Sequence, residues 1–269
     1  METTNISLTI ETSQLTRSYG TLVAAENVEI SLAPATIFGL LGRNGAGKST
    51  TIKMLTTLLP PSSGTASVAG FDIVREPERV RRNIGYVPQV ISAEGSLTGY
   101  ENLLVFSKLY GIPSSIRRAR IQEILEYMGL AEMRDVLVQK YSGGMIRRLE
   151  IGLALLHKPP ILFLDEPTIG LDPLARDIVW KHVLDLRDNL GTTIFMTTHQ
   201  MSEADELCDV IAIMHQGRIR AMGSPTELKS RIGPDATLYD VFAHYTTEHD
   251  ERGGFKDVVR TRRTARRLG

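Results

Sequence analysis

Residues 42–49 read GRNGAGKS, a glycine-rich run that ends in a lysine and a serine. This spacing fits the pattern G-x-x-x-x-G-K-[ST], in which backbone N–H groups surround the phosphates of a nucleotide. Lys48 would reach the β- and γ-phosphates, and the hydroxyl of Ser49 would bind Mg²⁺. The run therefore predicts MgATP as a ligand but no particular reaction, and a glycine-rich turn that binds nothing is the alternative. The residues predicted to surround the phosphates are Gly42, Arg43, Asn44, Gly45, Ala46, Gly47, Lys48, Ser49 and Thr50.

Two adjacent carboxylates, Asp165 and Glu166, follow the apolar residues 161–164. Because the ends of neighbouring parallel strands gather in one crevice, we expect Asp165 to reach the metal ion that Ser49 binds. Glu166 would face the other way if the strand continued, and it could then accept a proton from the attacking water. An acidic pair at a strand end is also compatible with a solvated terminus. Together with the phosphate loop, the pair predicts hydrolysis of the γ-phosphate.

Four more side chains and one turn have types and positions that a nucleotide enzyme could use. Tyr19 lies upstream of the phosphate loop, Gln89 follows GYVP, Asp172 lies in GLD, and His199 follows TIFMTT. The turn is YSGGM at residues 141–145, directly ahead of a helical pattern at 146–157. Each has an ordinary structural explanation when taken alone: a surface ring, a loop amide, a helix cap or a strand-end histidine.

Apolar and β-branched runs predict the strands that must position these residues. The predicted strands are residues 6–10, 23–32, 37–41, 65–68, 84–87, 161–164, 193–197 and 210–214. A helical pattern at 50–59 follows the phosphate loop and ends at Pro60. The segments between the last four strands are long enough for helical crossovers, so we predict a mainly parallel α/β sheet.

Between residues 89 and 141 the pattern is helical, with amphipathic stretches at 100–110 and 114–128. We interpret this region as a helical lobe inserted into the sheet domain. Farther along, Ser224, Pro225 and Glu227 have the types and spacing of a helix N-cap, N1 and N3. Residues 238–245, LYDVFAHY, form an accessory stretch that is polar enough to dock on another surface.

Taken in this order, the motifs resemble those of ABC-type ATPases, in which the turn usually reads LSGGQ. The resemblance covers residues 6–232. It implies an α/β fold: a P-loop NTPase core with a mainly parallel sheet, an N-terminal antiparallel β subdomain, and a helical subdomain inserted at about residues 90–150. A short accessory segment at 233–250 and a basic tail at 251–269 would follow.

The resemblance also implies a role for each candidate residue. Tyr19 would stack on adenine, and Gln89 would join Ser49 and Asp165 around Mg²⁺. Asp172 would form the D-loop, which also belongs to the nucleotide site.

The catalytic residues implied by the resemblance are Glu166, His199 and Lys48, with His199 in contact with the γ-phosphate. The YSGGM turn would be a second anion site that binds the nucleotide of an opposite subunit. Two chains would then meet head to tail with ATP between them, and hydrolysis would release them. The residues of this second site are Ser142, Gly143 and Gly144.

Two departures from the usual turn are Tyr141 in place of leucine and Met145 in place of glutamine. The string YSGGM-x-RRLEI, with TIGLDP after the acidic strand, resembles the drug-exporting branch that includes daunorubicin-resistance ATPases. This resemblance implies export through a separate integral-membrane permease, a second ATPase subunit that is either another copy or a related chain, and a location at the cytoplasmic face of the membrane.

Two other function classes compete with this interpretation. A non-transport ABC ATPase acting on ribosomes or DNA usually fuses two such domains or inserts long coiled coils, and the sequence shows neither. A P-loop kinase would need an acceptor-binding lid in place of the YSGGM turn, and none is evident.

Composition sets limits on partners and location. Lys+Arg and Asp+Glu both number 31, so the chain as a whole does not attract nucleic acid or anionic membrane, and no nucleic-acid partner is expected. No apolar stretch approaches the roughly 20 residues that span a bilayer. The single cysteine, Cys208, favours a reducing compartment, and the first residues lack the pattern of a secretory signal.

The one local charge asymmetry lies in the basic tail, where residues 256–269 carry a single acid, Asp257, among their cations. Contact with anionic lipid headgroups and a solvated terminus are both compatible with it. The basic residues of 256–269 are Lys256, Arg260, Arg262, Arg263, Arg266 and Arg267.

Overall fold

The computed structural model describes residues 9–247, so the basic tail and most of the strand predicted at 6–10 lie outside the described residues. Two sheets are present in this range. The strands are β1 (Ile10–Tyr19), β2 (Leu22–Leu32), β3 (Ile37–Leu41), β4 (Ser63–Val68), β5 (Phe71–Asp72), β6 (Ile84–Val87), β7 (Ile161–Asp165), β8 (Thr193–Thr198), β9 (Val210–His215) and β10 (Arg218–Gly223).

Helices connect the strands and fill the region between β6 and β7. They are α1 (Lys48–Leu55), α2 (Pro77–Arg82), α3 (Gly99–Leu109), α4 (Ser114–Tyr127), α5 (Gly143–Leu155), α6 (Pro173–Asp188), α7 (Met201–Leu207), α8 (Pro225–Ser230) and α9 (Leu238–Thr246). Short 3₁₀ turns lie at Ala131–Met133 and Val138–Lys140. None of the helices within residues 9–247 has the length and apolar character needed to cross a bilayer.

The six-stranded sheet has the order β10-β9-β3-β8-β7-β6, and only β10 runs antiparallel to its neighbour. The mainly parallel sheet predicted from the sequence is therefore confirmed. In its register Leu41 pairs with Thr198, and Asp165 pairs with Thr197. These pairings bring the ends of β3, β7 and β8 to one edge, where the phosphate loop and the acidic pair must meet.

The sheet is buried on both faces because alternate residues of its strands serve two separate cores. On one face Phe195 lies between Phe38 and Phe163, with ring centroids 4.9 and 5.4 Å away, and packs with α1 and the antiparallel sheet β2-β1-β4-β5. On the other face Leu162 and Ile194 pack against α4, α5 and α6. The site is thus carried by a strand set that is fixed from both sides.

Several predicted boundaries are wrong. Strand β1 extends to Tyr19, beyond the predicted end at residue 10. Helix α1 starts at Lys48 and ends at Leu55, short of the predicted 59, with Thr56 as its C-cap. The helix predicted at 146–157 begins at Gly143 and ends at Leu155.

The C-terminal part of the described chain contains two capped helices. Ser224 and Glu227 form the predicted capping box at the start of α8. Helix α9 buries Leu238, Val241 and Phe242 against α7, α8, β9 and β10. The accessory stretch therefore docks on the chain's own core.

Candidate active site

The phosphate loop connects the buried strand β3 to α1, and its backbone conformation requires a glycine. Gly47 adopts φ 109°, and a β-carbon there would lie 2.3 Å from the carbonyl oxygen of Ala24. Only glycine meets both conditions. The first turn of α1 carries no acidic residue, so its N–H groups keep their attraction for an anion. Lys48 Nζ donates to the carbonyl oxygens of Gly42 at 2.8 Å and Arg43 at 3.3 Å, which curls the loop around the ammonium group.

The acidic pair lies directly opposite the loop. Asp165 is the last residue of β7, and its Oδ1 accepts hydrogen bonds from Ser49 Oγ at 3.4 Å and from the hydroxyl of Thr197. The strand does not continue through Glu166, which adopts the left-handed φ of 50°, so the alternation predicted for it does not apply. The Glu166 N–H donates to both oxygens of Thr197, at 3.0 and 3.1 Å.

The carboxylate of Glu166 is the meeting point of the candidate catalytic groups. Lys48 Nζ lies 3.3 Å from Oε1, and Gln89 Nε2 donates to Oε2 at 3.3 Å. His199 Nδ1 also lies 3.3 Å from Oε2, but without the alignment of a hydrogen bond. Lys48, Asp165 and Glu166 are each at most 5% exposed, so these charges interact in a desolvated crevice. The structure thus brings Lys48, Ser49, Gln89, Asp165, Glu166 and His199 together.

Other candidates lie apart from this cluster. Tyr19, at the end of β1, is 48% exposed, and the guanidinium group of Arg17 lies 4.8 Å from its ring centroid. Asp172 accepts a hydrogen bond from the Ala175 N–H at 2.9 Å and so caps α6.

The YSGGM turn forms the N-terminus of α5, where Ser142 accepts from the Met145 N–H at 3.3 Å. Within residues 9–247, no hydrogen bond or ion pair joins the side chains of this turn to the phosphate loop. Gly144 lies where a β-carbon would come 2.7 Å from Cβ of Ala175, so its packing against α6 requires glycine. The departure at Tyr141 is accommodated by burial and by a hydrogen bond from its hydroxyl to the Met133 carbonyl at 2.7 Å.

A cleft of about 580 Å³ lies beside the phosphate loop. One wall contains His199 and the outer part of the loop, and the other is α9 with Phe242. The nearness of α9 to the loop has no signal in the sequence, because these segments are far apart along the chain.

Thr197 is the site residue that the motifs do not reveal. It is fully buried, and its hydroxyl connects Asp165 to the Glu166 N–H. A threonine among apolar strand residues is the only sequence signal for it. Tyr86 lies on the neighbouring strand β6 and is affected by the charge of Asp165. Burial, and then this charge, raise the pKa of the Tyr86 hydroxyl to about 12.

The donor set suits a small, hard cation. Among the described residues, no group of three or more His, Cys, Asp or Glu side chains is arranged to hold a metal ion. Mg²⁺ in nucleotide enzymes does not need one, since it takes one or two carboxylates together with waters and substrate phosphates. Asp165 and Ser49 supply a carboxylate and a hydroxyl 3.4 Å apart, which fits Mg²⁺. The Gln89 amide nitrogen donates to Glu166, so its place around the metal stays a prediction.

A parallel sheet with a phosphate loop after its central strand and a carboxylate pair ending a nearby strand defines a P-loop nucleotide hydrolase. Comparison with known proteins agrees. The family model described as ABC transporter matches residues 25–169. The chain is 46% identical over 224 residues to the daunorubicin/doxorubicin resistance ATP-binding protein DrrA of Streptomyces peucetius, covering 83% of this chain and 68% of that protein.

Two further matches extend the comparison. The chain is 41% identical over 229 residues to the linearmycin resistance ATP-binding protein LnrL of Bacillus subtilis, covering 85% of this chain and 73% of that protein. A solved structure described as the ATP-binding subunit of an ABC transporter superposes with a TM-score of 0.79 at 30% identity, covering 90% of this chain and all of that one. The chain belongs to the ABC transporter family, as an ATP-binding subunit that hydrolyses ATP.

Proposed function

We propose that this chain is the ATPase subunit of an exporter that moves a drug or antibiotic through a separate transmembrane subunit. The resistance proteins from Streptomyces and Bacillus support the direction of transport and the class of cargo. The observation that carries the enzymatic part is the convergence of Lys48, Gln89 and His199 on the Glu166 carboxylate, each at 3.3 Å.

We assign each of these groups a role in hydrolysis. ATP phosphates replace Glu166 as the partner of Lys48, and this exchange frees the Glu166 carboxylate. The oxygen of a water then attacks the γ-phosphorus, the bond to the β–γ bridging oxygen breaks, and the water proton passes to Glu166. His199 donates a hydrogen bond to the γ-phosphate.

Mg²⁺, held by Ser49 and Asp165 with Gln89, would neutralise charge on the phosphates when bound. Thr50 and the other loop residues, from Gly42 through Arg43, Asn44, Gly45, Ala46 and Gly47, hold the phosphates with their backbone N–H groups. Tyr19 offers its half-exposed ring to adenine.

A second ATPase subunit, identical or related, completes the site. Ser142 and Gly143 are exposed at the N-terminus of α5, where N–H groups favour an anion. Asp172 is also exposed. We assign Ser142, Gly143 and Gly144 to the nucleotide of the opposite subunit, so that ATP holds two chains together and hydrolysis separates them.

The membrane subunit is expected to contact the segment after Gln89. Val90 is 78% exposed and Ile91 is 59% exposed, an apolar pair that a hydrophobic side chain of a permease would cover. Through that contact the chain would lie at the cytoplasmic face of the membrane. We assign residues 6–232 to the ATP-binding domain, with its helical subdomain at about 90–150, residues 233–250 to the accessory segment, and 251–269 to the basic tail.

Replacement of Glu166 tests the enzymatic proposal. Glu166→Gln removes the proton acceptor and keeps the shape, so hydrolysis should fall by a factor on the order of 10² to 10⁴, while ATP binding persists. With MgATP the variant should accumulate as a dimer in size-exclusion chromatography. Glu123→Gln on the surface of α4 is the control and should hydrolyse ATP at the parent rate. Parent-rate hydrolysis by Glu166→Gln would overturn the role given to Glu166.

Copurification tests the transport role. A polytopic membrane protein that comes down with the tagged chain supports a transporter subunit. Ribosomes or DNA in its place would contradict the transport role and favour a non-transport ABC ATPase.

A further inference from the structure

A buried ion pair lies one turn inside α5. Arg147 is 5% exposed and Glu150 is 2% exposed, and Arg147 Nη1 lies 3.2 Å from Glu150 Oε2. Charged side chains are rarely buried unless they are paired and hydrogen-bonded, because desolvation costs several kcal/mol per ion. Solvation at the protein surface does not explain this pair, but its contacts with the loop after β6 do.

Both side chains hold the loop that follows β6. Arg147 donates to the Pro88 carbonyl at 2.8 Å and to the Gln89 carbonyl at 3.3 Å. Glu150 Oε1 accepts from the N–H of Ser92 at 2.5 Å and from its hydroxyl at 3.0 Å. The two charges thus fix residues 88–92 at both ends, while Val90 and Ile91 between them face outward.

This arrangement connects two sites that serve different nucleotides. Helix α5 begins at Gly143 with Ser142 as its N-cap, the turn assigned to the nucleotide of the opposite subunit. Arg147 lies about 8 Å farther along the same helix, at 1.5 Å per residue. Gln89, whose backbone Arg147 holds, donates from its side chain to the Glu166 carboxylate.

We propose that Arg147 and Glu150 are positioning residues that transmit engagement of the Ser142 turn to Gln89 and Glu166. Because a helix moves as a rigid element, displacement of α5 by the partner's nucleotide shifts the Pro88–Gln89 backbone with it. ATP bound in one half of the dimer thereby sets the geometry of the general base in the other half, and hydrolysis is cooperative. The inference depends on the two-subunit assembly proposed above.

The test compares the cooperativity of hydrolysis with the affinity for ATP. Arg147→Met and Glu150→Gln each break the pair with little change of volume. Glu123→Gln is the matched control, because the exposed Glu123 on α4 pairs with Arg120 and Lys158 away from the loop after β6. The parent and the control should hydrolyse ATP with a Hill coefficient between about 1.5 and 2, the limit for two sites. The two pair-breaking variants should approach 1, while ATP binding to the isolated monomer stays at the parent value.

Conservative replacement separates positioning from a merely structural role. Arg147→Lys keeps the charge and one donor to the loop, so its Hill coefficient should lie closer to the parent than that of Arg147→Met. If Glu150→Gln or Arg147→Met does not fold, Ser92→Ala removes only the hydroxyl contact to Glu150 and should lower the Hill coefficient in a folded chain.

Two results distinguish the positioning role of Arg147 and Glu150 from the two-subunit assembly. A Hill coefficient near the parent value in folded Arg147→Met, Glu150→Gln or Ser92→Ala overturns the positioning role, even where Glu166→Gln forms the ATP dimer. Failure of Glu166→Gln to form that dimer overturns the two-subunit assembly itself.

Discussion

Thr197→Val offers a sharp test of how the active site is held in place. Valine has nearly the shape of threonine, so the change removes the hydroxyl that connects Asp165 to the Glu166 N–H. The bond to the charged Asp165 is worth about 1.5–3 kcal/mol. The Glu166 N–H loses less, since the Thr197 carbonyl still accepts from it at 3.1 Å. The free energy of unfolding should therefore fall by about 2 kcal/mol.

The same change should slow hydrolysis by more than the loss of stability alone would suggest. Freeing the turn at Glu166 allows its carboxylate to shift, and a displacement near 1 Å costs roughly 10²-fold in rate. We expect kcat for MgATP to fall about 10- to 100-fold. Steady-state phosphate release and urea unfolding measure the two effects.

Thr197→Ser is the matched control. It keeps the hydroxyl and loses one methyl group, which costs about 0.8 kcal/mol of burial and leaves both hydrogen bonds in place. Its kcat should remain close to that of the parent. Full activity in Thr197→Val, or a loss of activity confined to Thr197→Ser, would refute this account of the Glu166 turn.

Three other predictions concern stability and reactivity. Gly144→Ala places a β-carbon 2.7 Å from that of Ala175 and should lower the free energy of unfolding by about 1–3 kcal/mol, whereas Gly143→Ala, with ordinary room, should not. Burial and then nearby acidic charges raise the pKa of the Cys208 thiol, so a maleimide should label it only after unfolding. Burial lowers the pKa of His157 from 6.5. As the pH falls, His157 is therefore protonated in the unfolded chain before it is protonated in the folded chain, and the free energy of unfolding should fall below about pH 6.5.

Each of these has a direct check. Thermal unfolding compares the two glycine variants, and equal losses would contradict the packing argument. Mass spectrometry of native protein treated with maleimide at pH 8 checks Cys208, where rapid labelling would count against its burial. Urea midpoints at pH 7.5 and 5.5 should differ less in His157→Gln than in the parent, and an unchanged difference would show that another group is responsible.

Local motifs predicted the centre of the site because its chemistry lies in short runs. The phosphate loop and the acidic pair follow buried strands, and apolar residues indicate both strands. The parallel register then brings Ser49 to Asp165 without further information. The family comparison confirms the resemblance and the fold class that these motifs indicated.

The sequence failed where tertiary contacts decide local structure. Strand β1 has shifts in its pairing near Thr12 and Leu15, which disturb the alternation that identifies a strand. Helix α1 ends early because Thr57 adopts a left-handed φ of 62°, whereas the prolines lie farther on.

Burial of charge was equally invisible in the sequence. Arg147 and Glu150 are three residues apart on a helix, the spacing of an ordinary solvated ion pair. The loop after β6 contacts both side chains, and tertiary packing of this kind is what buries them. The turn at Glu166 is hidden for a similar reason, since the Thr197 oxygens that hold its N–H come from a different strand.

Because Lys48 and Glu166 form an ion pair, the Glu166 carboxylate competes with any incoming anion for Lys48. The two charges lie 3.3 Å apart and are almost fully buried, so each satisfies the other. A small monovalent anion must separate them and offers little in exchange. A triphosphate brings several charges and many acceptor oxygens, and it also accepts hydrogen bonds from the N–H groups of the phosphate loop. The ion pair should therefore favour a triphosphate over a small monovalent anion such as chloride.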